Sequence, residues 1–198
     1  MPYPTAKVLV LDIDGGIVES SFLAKASVNP VVSRILSLTP MLKKLALTLV
    51  ETGETILETK YEITEEMDHI CRDYEHVGII TDRSFEGLRY ILREQLTLLQ
   101  YMSFIQVRET SSHKRKKLRY GPKVWETKAI KPHEWVLDNL IEFAKAKEIG
   151  RHDVLICDHD PEFRFMAKTL GFRVYPDETI DIPAVYPTSI ERRVALSF

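Results

Sequence analysis

The sequence predicts an α/β fold, a doubly wound parallel sheet, because apolar strand-like runs alternate with segments of helical periodicity. Three runs are continuous in their apolar residues and end on an acid or a hydroxyl: residues 7–12 (KVLVLD), 77–81 (VGIIT) and 154–158 (VLICD). Parallel strands that are buried on both faces have this composition. Shorter runs of the same kind, at residues 104–108 and 172–175, predict two further strands.

Four helices are predicted between these strands, at residues 64–74, 84–96, 132–146 and 161–170. Pro132 would occupy the first position of the third helix, which is a favoured place for proline. The fourth helix has Asp160 as its N-cap and ends at Gly171. Strands that alternate with helices in this way indicate parallel pairing through helical crossovers.

Two segments interrupt the alternation and set the predicted domain boundaries. Residues 1–19 and 62–198 are assigned to the α/β core, and residues 20–61 to a small cap insertion. The insertion could form either a small hairpin with its turn at Gly53 or a pair of helices, and the sequence does not decide between them. Residues 110–123 are expected to form an exposed loop.

Composition excludes several classes of protein. The chain has 198 residues with 44% apolar and 28% charged residues, so it can bury a core without disulfides or a structural metal. Its 27 basic and 29 acidic residues give a net charge of −2 and no global field for nucleic acid. Cys71 and Cys157 form no disulfide framework, no signal peptide is evident, and residues 31–50 are too interrupted for a membrane span. A cytoplasmic location and no membrane partner are expected.

Ligands of open α/β sheets bind beyond the carboxyl ends of the strands, so the residues that follow each strand are the candidates for a site. Carboxylates at this edge would supply hard oxygen ligands for Mg²⁺, and a lysine would neutralise phosphate oxygens. A carboxylate near the metal could attack phosphorus, and a second one two residues on could pass the proton. The candidates are Asp12, Asp14, Gly15, Gly16, Thr81, Asp82, Arg83, Lys131, Asp158 and Glu162.

The order of these motifs, DxDG after a strand, a strand-end Thr, Lys-Pro and a strand-end Asp, resembles the haloacid-dehalogenase-like (HAD) hydrolase superfamily. The resemblance covers residues 5–18 and 62–177. It implies that Asp12 is the nucleophile and that Asp14 is the general acid/base and offers its backbone carbonyl to Mg²⁺. It makes Thr81 and Lys131 the second and third motifs.

The fourth motif of the resemblance is acidic, and it is carried by Asp158 and Glu162. Together with Asp12 and Asp14, these residues form the implied set of metal ligands. Gly15, Gly16, Asp82 and Arg83 are assigned to the substrate. The family usually has Thr where this chain has Gly16, which removes one hydroxyl but no backbone N–H. The implied activity is Mg²⁺-dependent phosphomonoester hydrolysis through an aspartyl-phosphate.

Two lysines are candidates for the third motif, Lys131 and the nearby Lys128. Lys131 is preferred because a helix that begins at Pro132 would place it beside an anion site. The same order of motifs disfavours a response-regulator receiver domain, in which the lysine follows the last strand. Here, Lys131 precedes a further helix and the strand at residues 154–158.

Other functions stay open beside phosphatase activity on a small molecule or nucleotide. A catalytically weak or inactive protein that binds phosphate or a partner is one alternative. Residues 113–119 hold five basic residues and would suit a nucleic-acid end, although a solvated loop is the favoured interpretation. A cap this small favours a bulky substrate or closure by a second copy through residues 31–50. His159 is a minor candidate for substrate contact, and packing is the default role of Trp125 and Trp135.

Overall fold

The structure, a computed structural model, describes residues 6–13, 70–94, 96–109 and 121–177. Its centre is a six-stranded parallel sheet with the strand order β4-β3-β2-β1-β5-β6. The strands are β1 (Val8–Leu11), β2 (His76–Ser84), β3 (Met102–Arg108), β4 (Lys123–Thr127), β5 (Val154–Cys157) and β6 (Arg173–Tyr175). The helices are α1 (Phe85–Glu94), α2 (Leu96–Leu99), α3 (Asp138–Ala146) and α4 (Pro161–Thr169), with 3₁₀ turns at Glu134–Leu137 and Arg151–Asp153.

The strand order reverses at β1, which makes the gap between β1 and β5 the switch point of the sheet. β1 pairs with β2 on one side and with β5 on the other, both in parallel. The register places Leu11 beside Cys157, so Asp12 and Asp158 lie side by side where these two strands end, whereas β2 continues past Ile79 to Ser84. Ligands of open α/β sheets bind at such a switch point.

Two apolar clusters cover the two faces of the sheet and fix this geometry. Alternate residues of β1 point to opposite faces, because side chains of a strand alternate. Leu9 and Leu11 join the cluster under α1 and α2, whereas Val8 and Val10 join the cluster under α3 and α4. This burial on both faces explains why the strand is a continuous apolar run.

One close approach in the sheet depends on a glycine. The ring of Phe104 on β3 lies over Gly78 on β2, where an added Cβ would come within 2.1 Å of Phe104 Cζ. The Phe104 ring also stacks on Trp125 of β4, with ring centroids 4.5 Å apart. Trp125 therefore has the packing role that was predicted for it from the sequence.

The α/β fold class predicted from the sequence is confirmed, with three local corrections. β2 runs on to Ser84, beyond its predicted end at Thr81. β4 was assigned in part to a loop and was otherwise not predicted, because an edge strand with a half-exposed face lacks a continuous apolar run. The third helix begins later than predicted: α3 starts at Asp138, after a 3₁₀ turn that His133 caps. Pro132 therefore lies in the turn before the helix and not at its first position.

The fourth helix follows the prediction closely. Asp160 caps it and accepts hydrogen bonds from the backbone N–H groups of Glu162 and Phe163, and Gly171 follows with a φ of 89°. The predicted cap at residues 20–61, the basic run at residues 113–119 and most of the helix at residues 64–74 lie outside the described residues. Within the described ranges, no helix has the length and apolar content needed to cross a membrane.

Candidate active site

Two buried carboxylates lie side by side at the switch point. Asp12 follows β1 and Asp158 follows β5, and each residue is 4% exposed. The backbone N–H of Asp12 donates to the carbonyl of Cys157 at 2.9 Å, which ties the two strand ends together. The neighbouring strands therefore bring together two acids that are 146 positions apart in the sequence.

Lys131 lies between the two carboxylates. Its Nζ is 2.8 Å from Asp12 Oδ1 and 2.5 Å from Asp158 Oδ2, and its side chain is 5% exposed. The ammonium also lies 5.0 Å from the centroid of the Phe163 ring on α4, within range of a cation–π interaction. Two buried carboxylates thus share one buried ammonium.

The loop that carries Lys131 is held from behind by Asp82. Lys131 follows β4, three strands away from β1, so its loop reaches back across the sheet edge. The backbone N–H of Lys131 donates to Asp82 Oδ1 at 2.9 Å. The guanidinium of Arg108 on β3 donates from Nε to the backbone carbonyl of Asp82 at 2.8 Å. This chain of contacts places the lysine, whereas the predicted helix start at Pro132 does not.

The other residues at the end of β2 are buried. Thr81 is 3% exposed, and its hydroxyl oxygen accepts from the backbone N–H of Arg83 at 3.2 Å. The side chain of Arg83 is among the largest that are fully buried in the described residues. Of the predicted substrate residues, Asp82 therefore contacts the Lys131 backbone and Arg83 lies inside the protein.

His159 completes the described part of the site. Its Nδ1 is 2.8 Å from Asp12 Oδ2 and 3.7 Å from Asp158 Oδ1, and its side chain is 38% exposed. From its place in the sequence, His159 was only a minor candidate for substrate contact. Its position directly after Asp158 was the available signal, because that position puts its side chain at the same sheet edge.

The remaining sequence-predicted candidates are placed as follows. Glu162 is exposed in the first turn of α4 and is not part of the cluster that Asp12, Asp158 and His159 form. Lys128 is exposed, so Lys131 is the lysine that the fold brings to the carboxylates. Asp14, Gly15 and Gly16 lie outside the described residues, and their roles stay predictions.

Two contacts that the sequence did not suggest hold Asp158. The buried Arg164 of α4 donates from Nη1 to the backbone carbonyl of Asp158 at 2.7 Å. The backbone N–H of Asp160 donates to Asp158 Oδ1 at 2.8 Å. The neighbouring Cys157 is no nucleophile, because burial and the charge of Asp158 raise the pKa of its thiol to about 12.

Burial and the mutual charges set the protonation of the site. Burial alone would raise the pKa of Asp12, but the ammonium of Lys131 and the hydrogen bond with His159 outweigh it and lower that pKa. Burial, helped by the charge of Asp12 and opposed by Lys131, raises the pKa of Asp158 to about 7. The two carboxylates therefore differ, with Asp12 the one that stays ionised.

The pKa values of Lys131 and His159 are set by the same burial and the same neighbouring charges. Burial would lower the pKa of Lys131, but the charges of Asp12, Asp158 and Asp82 raise it, so the lysine stays charged. Burial likewise opposes protonation of His159, but the hydrogen bond to Asp12 and its charge raise the pKa of the imidazole.

The raised pKa of Asp158 predicts a pH dependence of stability in the metal-free protein. Between about pH 4 and pH 6, an unfolded aspartate ionises while the folded Asp158 keeps its proton, so stability falls as pH rises. We expect Asp158→Asn to remove a slope of up to about 1.4 kcal/mol per pH unit in this window. Chemical denaturation in EDTA measures it, with Asp153→Asn, at the opposite end of β5, as the control. An unchanged slope in Asp158→Asn would contradict the assignment.

The donor set fits a hard divalent cation. Asp12, Asp158 and His159 each offer one ligand atom, and these atoms lie within 4.8 Å of one another. When Asp158 is ionised, the two buried carboxylates outnumber the single ammonium, so a bound cation would balance the additional negative charge. Carboxylate oxygens are the ligands that Mg²⁺ prefers in proteins.

The fold and the site together define the class: an α/β protein with a carboxylate–lysine cluster at the switch point of its parallel sheet. No protein-family model matches the sequence, and no curated protein matches it significantly. Solved structures do match. One, a provisionally named phosphoglycolate phosphatase from Lactobacillus plantarum, has a TM-score of 0.53 at 11% identity, with 86% of this chain and 85% of that chain covered.

Two further similar structures are HAD-type proteins. One is a predicted HAD-like family hydrolase from Porphyromonas gingivalis, with 15% identity, a TM-score of 0.46 and coverage of 98% of this chain and 99% of that chain. The other is a HAD-superfamily hydrolase from Geobacter sulfurreducens, with 18% identity, a TM-score of 0.48 and coverage of 85% and 88%. The chain shares its α/β fold with the Lactobacillus plantarum protein, and likeness at this identity establishes the fold alone.

Proposed function

We propose that the chain is a phosphatase: a phosphomonoester hydrolase that acts through an aspartyl-phosphate on Asp12 and depends on Mg²⁺. The observation that carries the proposal is the position of Lys131 Nζ between Asp12 Oδ1 and Asp158 Oδ2. A buried ammonium against an ionised carboxylate at a strand end suits the attack of that carboxylate on a phosphoryl group, whose oxygens the ammonium would also stabilise.

The ionisation state of Asp12 supports its role as nucleophile. A nucleophilic carboxylate must be ionised at neutral pH, and the lowered pKa of Asp12 keeps it so. One of its oxygens would attack phosphorus, and the bond between phosphorus and the alcohol oxygen of the substrate would break. Asp14, by its resemblance to the family acid/base, would protonate the departing alkoxide. Water would then release phosphate from Asp12, with Asp14 accepting the proton.

Asp12 and Asp158 would hold the Mg²⁺ ion, which supplies charge neutralisation for the phosphoryl oxygens when bound. Asp158 must lose its proton to act as a ligand, so cation binding at neutral pH is expected to release protons. Thr81, in the irregular last part of β2, and the backbone N–H groups at Gly15 and Gly16 are the proposed donors to the phosphoryl group. The substrate is proposed to be a phosphorylated small molecule or nucleotide.

Release of phosphate from an aryl phosphate, with EDTA and with added Mg²⁺, tests this proposal. We expect turnover that requires the added cation. A screen with nucleotides, sugar phosphates and 3′-phosphorylated oligonucleotides would then define the substrate. A folded protein that releases no phosphate from any member of this panel would contradict the proposal and favour a protein that only binds phosphate or a partner.

Asp82 provides a test of how Lys131 is placed. Asp82→Asn keeps an oxygen that can accept from the Lys131 N–H, whereas Asp82→Ala removes it. Because small displacements of a catalytic group are costly, we expect kcat to fall roughly 10- to 100-fold in Asp82→Ala and by only a few-fold in Asp82→Asn. Asp73→Ala, an exposed change before β2, is the control. Equal losses of kcat/KM in Asp82→Asn and Asp82→Ala would instead indicate that the charge of Asp82, which also acts on the Lys131 ammonium, matters more than its hydrogen bond.

A further inference from the structure

We propose that His159 is a ligand of the divalent cation at this site, and that the site therefore binds first-row transition-metal ions more tightly than Mg²⁺. The inference rests on the cation site of the proposed function but not on hydrolysis, because it concerns binding alone. It adds an imidazole nitrogen to a ligand set that the sequence assigned entirely to oxygen.

The division of the carboxylate oxygens carries this inference. Lys131 contacts Oδ1 of Asp12 and Oδ2 of Asp158. His159 Nδ1 faces the other oxygen of each carboxylate, at 2.8 Å from Asp12 Oδ2 and 3.7 Å from Asp158 Oδ1. Each carboxylate thus offers one oxygen to the ammonium and one to the imidazole. The two oxygens and the nitrogen form a triangle of potential ligands.

The oxygen atoms of this triangle keep capacity for a cation. Asp158 Oδ1 accepts one hydrogen bond, from the Asp160 N–H, and a carboxylate oxygen has a further lone pair. That hydrogen bond also fixes the carboxylate, as partners of ligating carboxylates do in metal sites. A cation could replace the contact between Asp12 Oδ2 and His159 Nδ1, because the cation would neutralise the negative charge of Asp12 that this contact now serves.

His159 is built into the site and is also accessible. It lies between Asp158 and the α4 N-cap Asp160, so the ends of β5 and α4 restrict its backbone. Its side chain is 38% exposed, whereas those of Asp12 and Asp158 are at most 4% exposed. A cation from solvent can therefore reach the buried carboxylates along the imidazole.

The chemistry of the donors sets the preference. Mg²⁺ binds through carboxylates, phosphates and water, so an imidazole adds little to its affinity. Imidazole is a good ligand for first-row transition-metal ions, and carboxylates accept Mn²⁺ as readily as Mg²⁺. Two carboxylates with one imidazole therefore favour first-row transition-metal ions over Mg²⁺. Mn²⁺, the weakest binder of that series, serves as a stringent and spectroscopically visible probe.

Binding of Mn²⁺ and Mg²⁺ to the chelator-stripped full-length chain tests the inference by calorimetry. We expect Mn²⁺ to bind about tenfold or more tightly than Mg²⁺, and His159→Ala to weaken Mn²⁺ binding by about tenfold or more while affecting Mg²⁺ much less. His152→Ala is the matched control, because this histidine is exposed and its ring contacts Asp153. Equal affinities of the wild type for the two ions would overturn the inference.

Electron spin echo spectroscopy of the Mn²⁺-loaded protein tests direct coordination by the imidazole. A directly bound imidazole gives nitrogen modulation, which must change when the chain is labelled with ¹⁵N-histidine. It must also be lost in His159→Ala, because the label marks all six histidines. Its absence from the wild type would overturn the inference, and His159 would then only hydrogen-bond to Asp12. Nitrogen modulation without phosphate release would contradict the phosphatase but not the ligand. Phosphate release with Mg²⁺ but without nitrogen modulation would contradict the ligand but not the phosphatase.

Discussion

Asp12→Asn is expected to reduce phosphate release by roughly a thousandfold or more without unfolding the protein. The loss follows because an amide cannot attack phosphorus to form the acyl phosphate. The fold should persist because the Asn oxygen can still accept from Lys131, whose ammonium keeps Asp158 as its ionic partner. Removing one of two adjacent buried carboxylates also relieves the repulsion that contributes to the raised pKa of Asp158.

Steady-state kinetics measures the loss of phosphate release, and thermal unfolding of the same preparation shows whether the Asp12→Asn variant stays folded. Asp153→Asn makes the same chemical change just before β5, at the end of the strand opposite to the site. It should retain wild-type activity. Retention of activity by Asp12→Asn would rule out Asp12 as the nucleophile.

Lys131→Met is expected to destabilise the metal-free protein as well as to inactivate it. The change leaves two buried carboxylates without the ammonium that now lies within 2.8 Å of both. Loss of one partner of a buried ion pair typically costs about 3–5 kcal/mol. Without the ammonium Asp158 takes up a proton already near neutral pH, so the deficit should shrink further at low pH as Asp12 is protonated too. Saturating divalent cation should restore part of the stability at neutral pH.

Chemical denaturation and phosphate release of Lys131→Met and Lys128→Met separate the two lysines. Lys128→Met makes the same change on an exposed side chain three residues earlier, so both stability and turnover should stay near those of the wild type. If instead Lys128→Met lost activity while Lys131→Met stayed stable and active, the assignment of the buried lysine would be wrong.

The central sheet and its acids were accessible from the sequence because burial leaves a direct trace in composition. β1 and β5 are covered on both faces, so each is a continuous apolar run, and the residue after each run is the one that faces the switch point. Asp12 and Asp158 were located in this way without any knowledge of distance. The preference for Lys131 over Lys128 agrees with where the fold places the lysine.

What the sequence missed depends on contacts between distant residues. The reason given for Lys131 was wrong, since no helix begins at Pro132; the loop is held by Asp82, 49 positions away. β4 is a half-exposed edge strand, so its pattern carries little burial signal. The contact of Arg164 with Asp158 and the orientation of His159 toward Asp12 are similarly results of packing at the start of α4. Local periodicity does not encode such contacts.

The central claim is that Asp12 becomes phosphorylated during turnover, and chemical trapping tests it most directly. The protein would be mixed with the best substrate of the panel, quenched within the first turnovers, reduced with borohydride and analysed by peptide mass spectrometry. Borohydride reduces an acyl phosphate to an alcohol, so we predict homoserine at position 12 in samples with substrate and not in those without it. An active protein with unmodified Asp12, or with the modification on another carboxylate, would contradict the account.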